Sequence, residues 1–154
     1  MTKVAVLDDY QEVALEMADW ESLPSATEVT VFKNHLSDER DVSKRLAEFE
    51  VVSAMRERTP FPKHLLESLP NLKLLVTTGM RNASIDLPAA SKLGITVCGT
   101  EGLGYPTAEL TWGLIVSLAR KISEENSSSR SGSWQTTLGI GLNGKTLGIL
   151  GLGN

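Results

Sequence analysis

From the amino terminus to about Gly99, short apolar runs rich in β-branched residues alternate with helix-like patterns, and this alternation constrains the fold more than any other feature of the sequence. The runs predict strands at residues 4–7, 29–32, 51–54, 72–77 and 95–98. The intervening segments predict helices at residues 13–19, 39–49, 62–68 and 87–93. Strands that alternate with helices are typical of a parallel sheet covered by helices.

Start and stop signals support two of these helices. Ser37 or Asp38 is placed to cap the second helix, and Gly94 is placed to end the fourth. Five strands joined by four crossovers predict a small flavodoxin-like α/β unit. Ligands of such a unit are expected at the carboxyl ends of its strands.

The character of the chain changes after Gly99, which predicts a first domain over residues 1–100 and a second region over residues 101–154. Pro106 is placed to open a long helix, from Thr107 to about Ile122, that is apolar nearly all round in its first turns. Such a helix needs a second domain or a second subunit to cover it. The Ser-rich stretch that follows is either a flexible linker or a helix that continues to about Arg130 and stops at Gly132.

Composition excludes several classes of function. The chain is 41% hydrophobic and 22% charged with a net charge of -4, so it lacks the basic excess of nucleic-acid-binding proteins. Cys98 is the only cysteine, which predicts a buried thiol, no disulfide, no cysteine-based metal cluster and a reducing compartment. The longest apolar stretch is shorter than the roughly 20 residues that span a bilayer. The amino terminus does not resemble a signal peptide, and we expect a cytoplasmic protein with no membrane partner.

The turn after the fourth strand is the strongest local indication of a binding site. Its sequence, TTGMRNASIDL, places several backbone N–H groups at the carboxyl end of a strand, which suits a carboxylate, and Arg81 would add attraction. An ordinary strand-to-helix turn with a solvated arginine is the alternative. The loop RERTPF after the third strand carries Arg56 and Arg58, which either bind an anion or are surface charges.

Paired acids and two histidines complete the candidate groups. Asp8 and Asp9 follow the first strand, as the Mg²⁺-binding acids of receiver domains do, but the phosphate-accepting Asp and the Lys of such domains are absent. Capping of the next turn is the preferred interpretation of this pair. His35 and His64 lack an orienting acid and a reacting partner in the sequence, so we expect surface residues. No metal site is predicted.

The end of the chain reads GKTLGILGLGN. It predicts a strand at residues 146–150, followed by Gly151 and Gly153 in the turn that approaches a dinucleotide pyrophosphate. The third glycine, its helix and the acid expected about 20 residues further on are missing from the sequence.

Taken in order, a series of segments resembles the D-isomer-specific 2-hydroxyacid dehydrogenases, which include enzymes similar to D-3-phosphoglycerate dehydrogenase. The segments are VAVLDDYQ, RERTPF, LLVTTGMRNASIDL, AASKLGITVCGTEGLGYPTAELTWGLIVSLAR, GSW and GKTLGILGLGN. Together they extend over the whole chain.

This resemblance implies a flavodoxin-like substrate domain followed by the beginning of a Rossmann NAD-binding domain, with NAD or alternatively NADP as cofactor. It implies that a small 2-hydroxy or 2-keto acid binds at the loop of Gly79, Met80, Arg81 and Asn82. It also implies that Thr107 lies on the nicotinamide side and that the helix at residues 107–122 forms a homodimer interface.

The catalytic arginine, glutamate and histidine of the family would lie beyond the glycine turn. We therefore expect a truncated chain that is inactive by itself. The alternative is a non-enzymatic dimerisation or interaction module derived from the same family.

Overall fold

The computed structural model describes residues 1–151, which divide into two compact units, residues 1–102 and a second unit that begins at Leu103. The first unit contains five strands and three α-helices. The strands are β1 (Thr2–Val6), β2 (Thr27–Val31), β3 (Val51–Ala54), β4 (Leu74–Thr77) and β5 (Thr96–Gly99). The helices are α1 (Glu39–Leu46), α2 (Lys63–Glu67) and α3 (Leu87–Lys92), and a single 3₁₀ turn spans Trp20–Ser22.

The five strands form one parallel sheet in the order β2-β1-β3-β4-β5. Val4 of β1 lies opposite Val29 of β2 on one side and Val51 of β3 on the other. This is the flavodoxin-like strand order, in which the direction of strand addition reverses between β1 and β3. The α/β fold with a parallel sheet that the sequence predicts is confirmed.

The centre of the sheet is buried, as the apolar runs require. Ala5, Val52 and Leu75 have no exposed surface, and they belong to a single core cluster with side chains of all three helices. Successive residues Val4, Ala5 and Val6 of β1 are all buried, which is typical of a parallel strand covered on both faces.

Caps and a left-handed residue determine where the helices begin and end. The Asp38 side chain accepts a hydrogen bond from the Arg40 N–H at 2.8 Å, so Asp38 rather than Ser37 caps α1. Gly94, with φ 74°, follows α3 in the left-handed conformation that glycine adopts without steric cost.

The predicted helix at residues 13–19 is wrong, because this segment forms turns instead. The Trp20 Nε1–H donates to the carbonyl oxygen of Ala14 at 2.8 Å. That oxygen would accept from Ala18 in a continuing helix, so the indole replaces a helical hydrogen bond. The crossover from β1 to β2 is therefore irregular.

The predicted burial of Cys98 is also wrong, because its side chain is exposed. β5 is an edge strand, and its Val97 packs against the core. Side chains alternate between the faces of a strand, so Cys98 lies on the opposite face from Val97.

The second unit begins with two consecutive helices, α4 (Pro106–Ala119) and α5 (Ile122–Arg130). Pro106 occupies the first turn of α4, as expected, and a left-handed Lys121 with φ 54° separates the two helices. The helical interpretation of the Ser-rich stretch is thus confirmed. Within residues 1–151, no helix combines the length and the apolar character that crossing a membrane requires.

The predicted strand at residues 146–150 is absent. Backbone N–H and C=O groups of a strand need neighbouring strands to pair with, and the described residues offer this segment none. Its apolar side chains are accordingly exposed, and Leu150 is fully so.

A single carboxylate holds the segment that follows α5 against that helix. Glu125 Oε1 accepts hydrogen bonds from the backbone N–H and the hydroxyl of Thr137, both at 2.6 Å, and Glu125 also accepts from Thr136. The Thr137 hydroxyl, followed by the backbone donors, holds the pKa of Glu125 below its ordinary value of 4.5. We call residues 133–137 the arm.

Attachment of the arm should depend on pH. Because the pKa of Glu125 is lower in the folded chain than in the unfolded chain, its stabilising effect is complete above pH 4.5 and is lost as the pH falls through the lowered pKa. The chemical shift of the Thr137 amide, followed by NMR, should therefore titrate with a midpoint below 4.5. Glu125→Gln should abolish this titration, and Glu124→Gln should preserve it because Glu124 contacts Lys121 instead. An unchanged titration in Glu125→Gln would contradict the assignment.

Candidate functional site

The loops that follow the strands meet at the carboxyl edge of the sheet, because all five strands run in the same direction. Four of these loops follow β1, β3, β4 and β5, and we name the second the β3–α2 loop (residues 55–62) and the third the β4–α3 loop (residues 78–86). The β4–α3 loop contains the four residues that the sequence predicts for substrate binding.

Close backbone packing defines the conformation of the β4–α3 loop. Gly79 has φ 98°, and its N–H donates to the Thr100 hydroxyl at 2.8 Å. Gly99 packs beneath it, since a Cβ on Gly99 would lie 2.7 Å from the Gly79 carbonyl oxygen. Glycine is required at both positions, at Gly79 by its positive φ and at Gly99 by the close approach of backbone.

Asn82 joins the β4–α3 loop to its neighbours. Its amide nitrogen donates to the Arg56 carbonyl oxygen at 2.6 Å and to the Thr77 hydroxyl at 2.9 Å. Its oxygen accepts from the N–H and the hydroxyl of Ser84. Both ends of the amide are therefore occupied, and Asn82 braces the loop from within.

The Arg56 side chain places a positive charge beside the β4–α3 loop. Its backbone adopts φ 53°, and its N–H donates to the Thr78 hydroxyl at 3.1 Å. Its guanidinium lies over Gly79, where a Cβ would come within 2.2 Å of Nη1. The exposed guanidinium is thus held directly beside the turn of the β4–α3 loop.

The turn leaves two donors for a ligand. Among the described residues, the N–H groups of Met80 and Arg81 have no protein acceptor, whereas the Gly79 N–H is engaged with Thr100. Met80 is 70% exposed, and Arg81 is also exposed. Two free N–H groups beside a guanidinium form an arrangement suited to a carboxylate.

The paired acids after β1 have different roles. The Asp9 carboxylate accepts from the N–H groups of Val13 and Ala14 at 3.1 and 3.0 Å, as the capping interpretation predicts. Both acids are buried, but the Asp8 carboxylate contacts His35 and Thr59 and caps no turn.

The expectation that both histidines lie at the surface is confirmed, but the expectation that they lack an acidic partner is wrong. His35 Nδ1 lies 3.0 Å from Asp8 Oδ1, and His64 Nε2 lies 2.5 Å from Glu39 Oε2. The two acids lie 27 and 25 positions away in the sequence, so sequence spacing does not reveal these pairs. Both His35 and His64 are nevertheless exposed.

The predicted cofactor residues lie in the second unit. Thr107 is exposed near the start of α4, and its carbonyl oxygen accepts from the Thr111 hydroxyl at 2.7 Å. Gly151 has φ 71°, which suits a tight turn. Gly153 lies outside the described residues. Within residues 1–151, no three His, Cys, Asp or Glu side chains are grouped so as to hold a metal ion.

Sequence reasoning missed the residues that support the site. Thr59, Thr78, Thr100 and Gly99 all bind or pack against the loops described above. Each lies at or after the end of a strand, and this position was the one signal in the sequence that could have pointed to it. Threonines are common in such positions, and their partners are far away in the sequence.

Comparison with known proteins connects this geometry to a family. The family model for the D-isomer specific 2-hydroxyacid dehydrogenase catalytic domain matches residues 4–143. A glyoxylate reductase from Thermococcus litoralis is 41% identical over 98 residues, covering 57% of this chain and 30% of that protein. The human D-3-phosphoglycerate dehydrogenase is 48% identical over 79 residues, covering 49% of this chain and 14% of that protein.

The fold is shared with solved structures. A phosphoglycerate oxidoreductase from Vibrio cholerae superposes with a TM-score of 0.89 at 41% identity, covering 99% of this chain and 50% of that one. The chain therefore spans about half the length of this structure and less than a third of the two curated relatives.

The close approach at Gly99 should make this position intolerant of a side chain. Gly99→Ala places a Cβ against backbone atoms of Gly79 and Met80, which cannot rotate away, so we expect a loss of about 1–3 kcal/mol in the free energy of unfolding. Gly102→Ala, whose Cβ would meet nothing within 4 Å, should change stability by less than about 0.5 kcal/mol. Urea unfolding of both variants measures the difference. Equal stabilities would contradict the packing described here.

Proposed function

Because the chain belongs to the D-isomer specific 2-hydroxyacid dehydrogenase family, we propose that it supplies the substrate-binding part of an oxidoreductase. The whole protein would interconvert a D-2-hydroxy acid and a 2-keto acid by hydride transfer to or from a nicotinamide cofactor. The related structure of similar fold is about twice as long, so the activity of the whole protein belongs to this proposal.

The observation that carries the proposal is the arrangement of donors around the β4–α3 loop. The N–H groups of Met80 and Arg81 are free for a ligand, and the Arg56 guanidinium lies beside them over Gly79. A substrate carboxylate accepts hydrogen bonds at two oxygens, and backbone donors with a guanidinium match it in charge and geometry. Gly79 and Asn82 hold the loop in the conformation that presents these donors.

These residues would bind and orient the acid. Fixing the carboxylate places the 2-carbon of the substrate in a defined position, which lowers the entropic cost of hydride transfer. We assign no proton transfer to this chain, because neither His35 nor His64 belongs to the β4–α3 loop, where the substrate would bind. We therefore propose that the chain alone is inactive.

We propose NAD as the cofactor, with NADP as the alternative, and Thr107, Gly151 and Gly153 as residues on its side. The described residues do not by themselves form a dinucleotide site. Gly151 has the required positive φ, but residues 146–150 form no strand. The chemistry that a bound nicotinamide would supply is the acceptance or donation of hydride.

We also propose that residues 1–100 form the substrate domain and that residues 101–154 begin the nucleotide domain. Because the chain has a single cysteine, we propose that the protein is cytoplasmic.

The first experiment combines intact mass with an assay of NADH oxidation on a panel of 2-keto acids that includes glyoxylate. We expect no turnover at a mass that matches the 154 residues. Glyoxylate should nevertheless shift the NMR signals of the Met80 and Arg81 amides. Turnover by the chain alone would contradict its proposed inactivity, and unchanged amide signals would contradict the carboxylate site.

Removal of the cation beside the loop should weaken binding. A hydrogen bond to a charged group is worth about 1.5–3 kcal/mol, so Arg56→Gln should raise the Kd for glyoxylate roughly 10- to 100-fold. Arg40→Gln, which removes an exposed arginine on α1, should leave the Kd unchanged. NMR titration measures both variants, and an equal Kd in the two would contradict a role for Arg56.

The exposed face of α4 favours a second function, homodimerisation, either within the enzyme or as a separate interaction module. Leu110, Leu114 and Leu118 share this face at a spacing of four residues and are 65%, 61% and 83% exposed, and Trp112 on another side of the helix is 57% exposed. Patches of this kind mark interaction surfaces in proteins.

A charge placed on this face should disrupt a dimer. Leu118→Arg should convert the protein to monomers in sedimentation velocity experiments, because burying an unpaired cation is costly. Ser127→Arg on α5 is the matched control and should leave the dimer intact. A wild-type chain that remains monomeric at high concentration would rule out self-association through α4.

A further inference from the structure

Asp8 is the most deeply buried acid of the described residues, with 2% of its surface exposed, and substrate binding does not account for it. Its Oδ2 accepts a hydrogen bond from the Thr59 hydroxyl at 2.7 Å, and its Oδ1 lies 3.0 Å from His35 Nδ1. Its backbone carbonyl oxygen accepts from Arg58 Nη1 at 2.7 Å. Three side chains from two other loops therefore converge on one residue.

The conformation of Asp8 is unfavourable by itself. Its φ of 58° lies in the left-handed region, which residues other than glycine seldom adopt, and a buried carboxylate is costly unless it is hydrogen-bonded. An ionised carboxylate only accepts hydrogen bonds, so His35 can stabilise the charged form of Asp8 in the tautomer that carries a hydrogen on Nδ1. The surrounding donors stabilise both the backbone and the charge, which indicates that this position is strongly constrained.

Two of these contacts lead into the β3–α2 loop. Thr59 and Arg58 belong to that loop, and the Arg58 guanidinium also stacks over the Tyr10 ring at 4.5 Å. Asp8 therefore ties the β3–α2 loop to the end of β1 through a side-chain contact and a main-chain contact.

The β3–α2 loop also contacts the proposed carboxylate site. Arg56 lies three residues before Thr59, and it contacts the β4–α3 loop through Thr78, Asn82 and Gly79. A second junction lies further along, where the Phe61 N–H donates to the Ser84 carbonyl oxygen at 2.8 Å. A displacement of Thr59 would therefore move Arg56 relative to the donors of Met80 and Arg81.

We propose that Asp8 is a positioning residue for carboxylate binding, acting through Thr59 and Arg58 to hold the β3–α2 loop where the Arg56 guanidinium faces the substrate. This inference rests on the proposed function. Asp8 does not touch the ligand, and its effect passes along the loop. It lies at the point between β1 and β3 where the strand order reverses, which is the crevice where α/β sheets of this order bind ligands.

The hydroxyl of Thr59 allows a test that leaves Asp8 itself in place. Thr59→Val keeps the shape of the side chain and removes the hydrogen bond, whereas Thr59→Ser keeps the hydroxyl. Thr59→Val should weaken glyoxylate binding about five- to tenfold, as expected for a lost buried hydrogen bond. Thr59→Ser should bind within about twofold of the wild type.

NMR spectra without ligand provide a second measurement, because they report loop position whether or not glyoxylate binds. In Thr59→Val the amide signals of Arg56 and Asn82 should shift, while those of the distant core strand residues Val52 and Leu75 should not. In Thr59→Ser the Arg56 and Asn82 signals should stay at their wild-type positions. These readouts distinguish displacement of the loop from general loss of folding.

Different results would overturn different claims. Unshifted Arg56 and Asn82 amides in Thr59→Val, or equal losses in the Val and Ser variants, would overturn the positioning role of Asp8. Absence of glyoxylate binding in the wild type would overturn the proposed function. Shifted Arg56 and Asn82 amides in that case would still support the coupling from Asp8 to the loop.

Discussion

The parallel alignment of the five strands is the constraint on which the site depends. Because every strand runs in the same direction, the loops that follow β1, β3, β4 and β5 emerge at one edge and contact each other. Residues separated by more than 20 positions, such as Arg56 and Thr78, become hydrogen-bonded neighbours there. The sheet itself is buried and apolar, so the polar chemistry of the first unit is concentrated at its edges.

Polar contacts at this edge connect Asp8 to the β4–α3 loop through the β3–α2 loop. Asp8 accepts hydrogen bonds from Thr59 and Arg58 of the β3–α2 loop. Arg56 of the same loop contacts Asn82 and Gly79 of the β4–α3 loop. Within the described residues, no buried side-chain nitrogen or oxygen lacks a hydrogen-bond partner. A network without unpaired members stabilises one arrangement of the loops, since each alternative would leave a buried group unsatisfied. Strained backbone at Asp8 and Arg56 is tolerated for the same reason.

The second unit differs from the first in its exposed apolar side chains. Its helices expose large apolar side chains, and the segment beyond the arm forms no regular structure up to residue 151. Glu125 provides the main polar attachment there, through four hydrogen bonds to two threonines. The related structure of similar fold is about twice as long as this chain.

The sequence by itself determined the sheet, because strands of a buried parallel sheet are continuous apolar runs that stand out between helices. It also identified the β4–α3 loop, since glycine and asparagine after a strand are a local signal. Sequence reasoning was wrong where the outcome depended on contacts that the hydrophobic pattern does not show. The Trp20 indole donates to a carbonyl oxygen that the expected helix at residues 13–19 would use, and residues 146–150 pair with no strand among the described residues.

Only the tertiary structure decided the roles of the polar residues. Asp8 and Asp9 are identical in type, adjacent and both buried, yet Asp8 accepts a hydrogen bond from Thr59 of another loop and Asp9 caps a turn. His35 has an acidic partner 27 positions away, and the exposed Arg56 guanidinium lies over Gly79 of the neighbouring loop. Hydrogen bonds between loops depend on which strands lie side by side, and that order is set by packing of the whole sheet rather than by any local pattern.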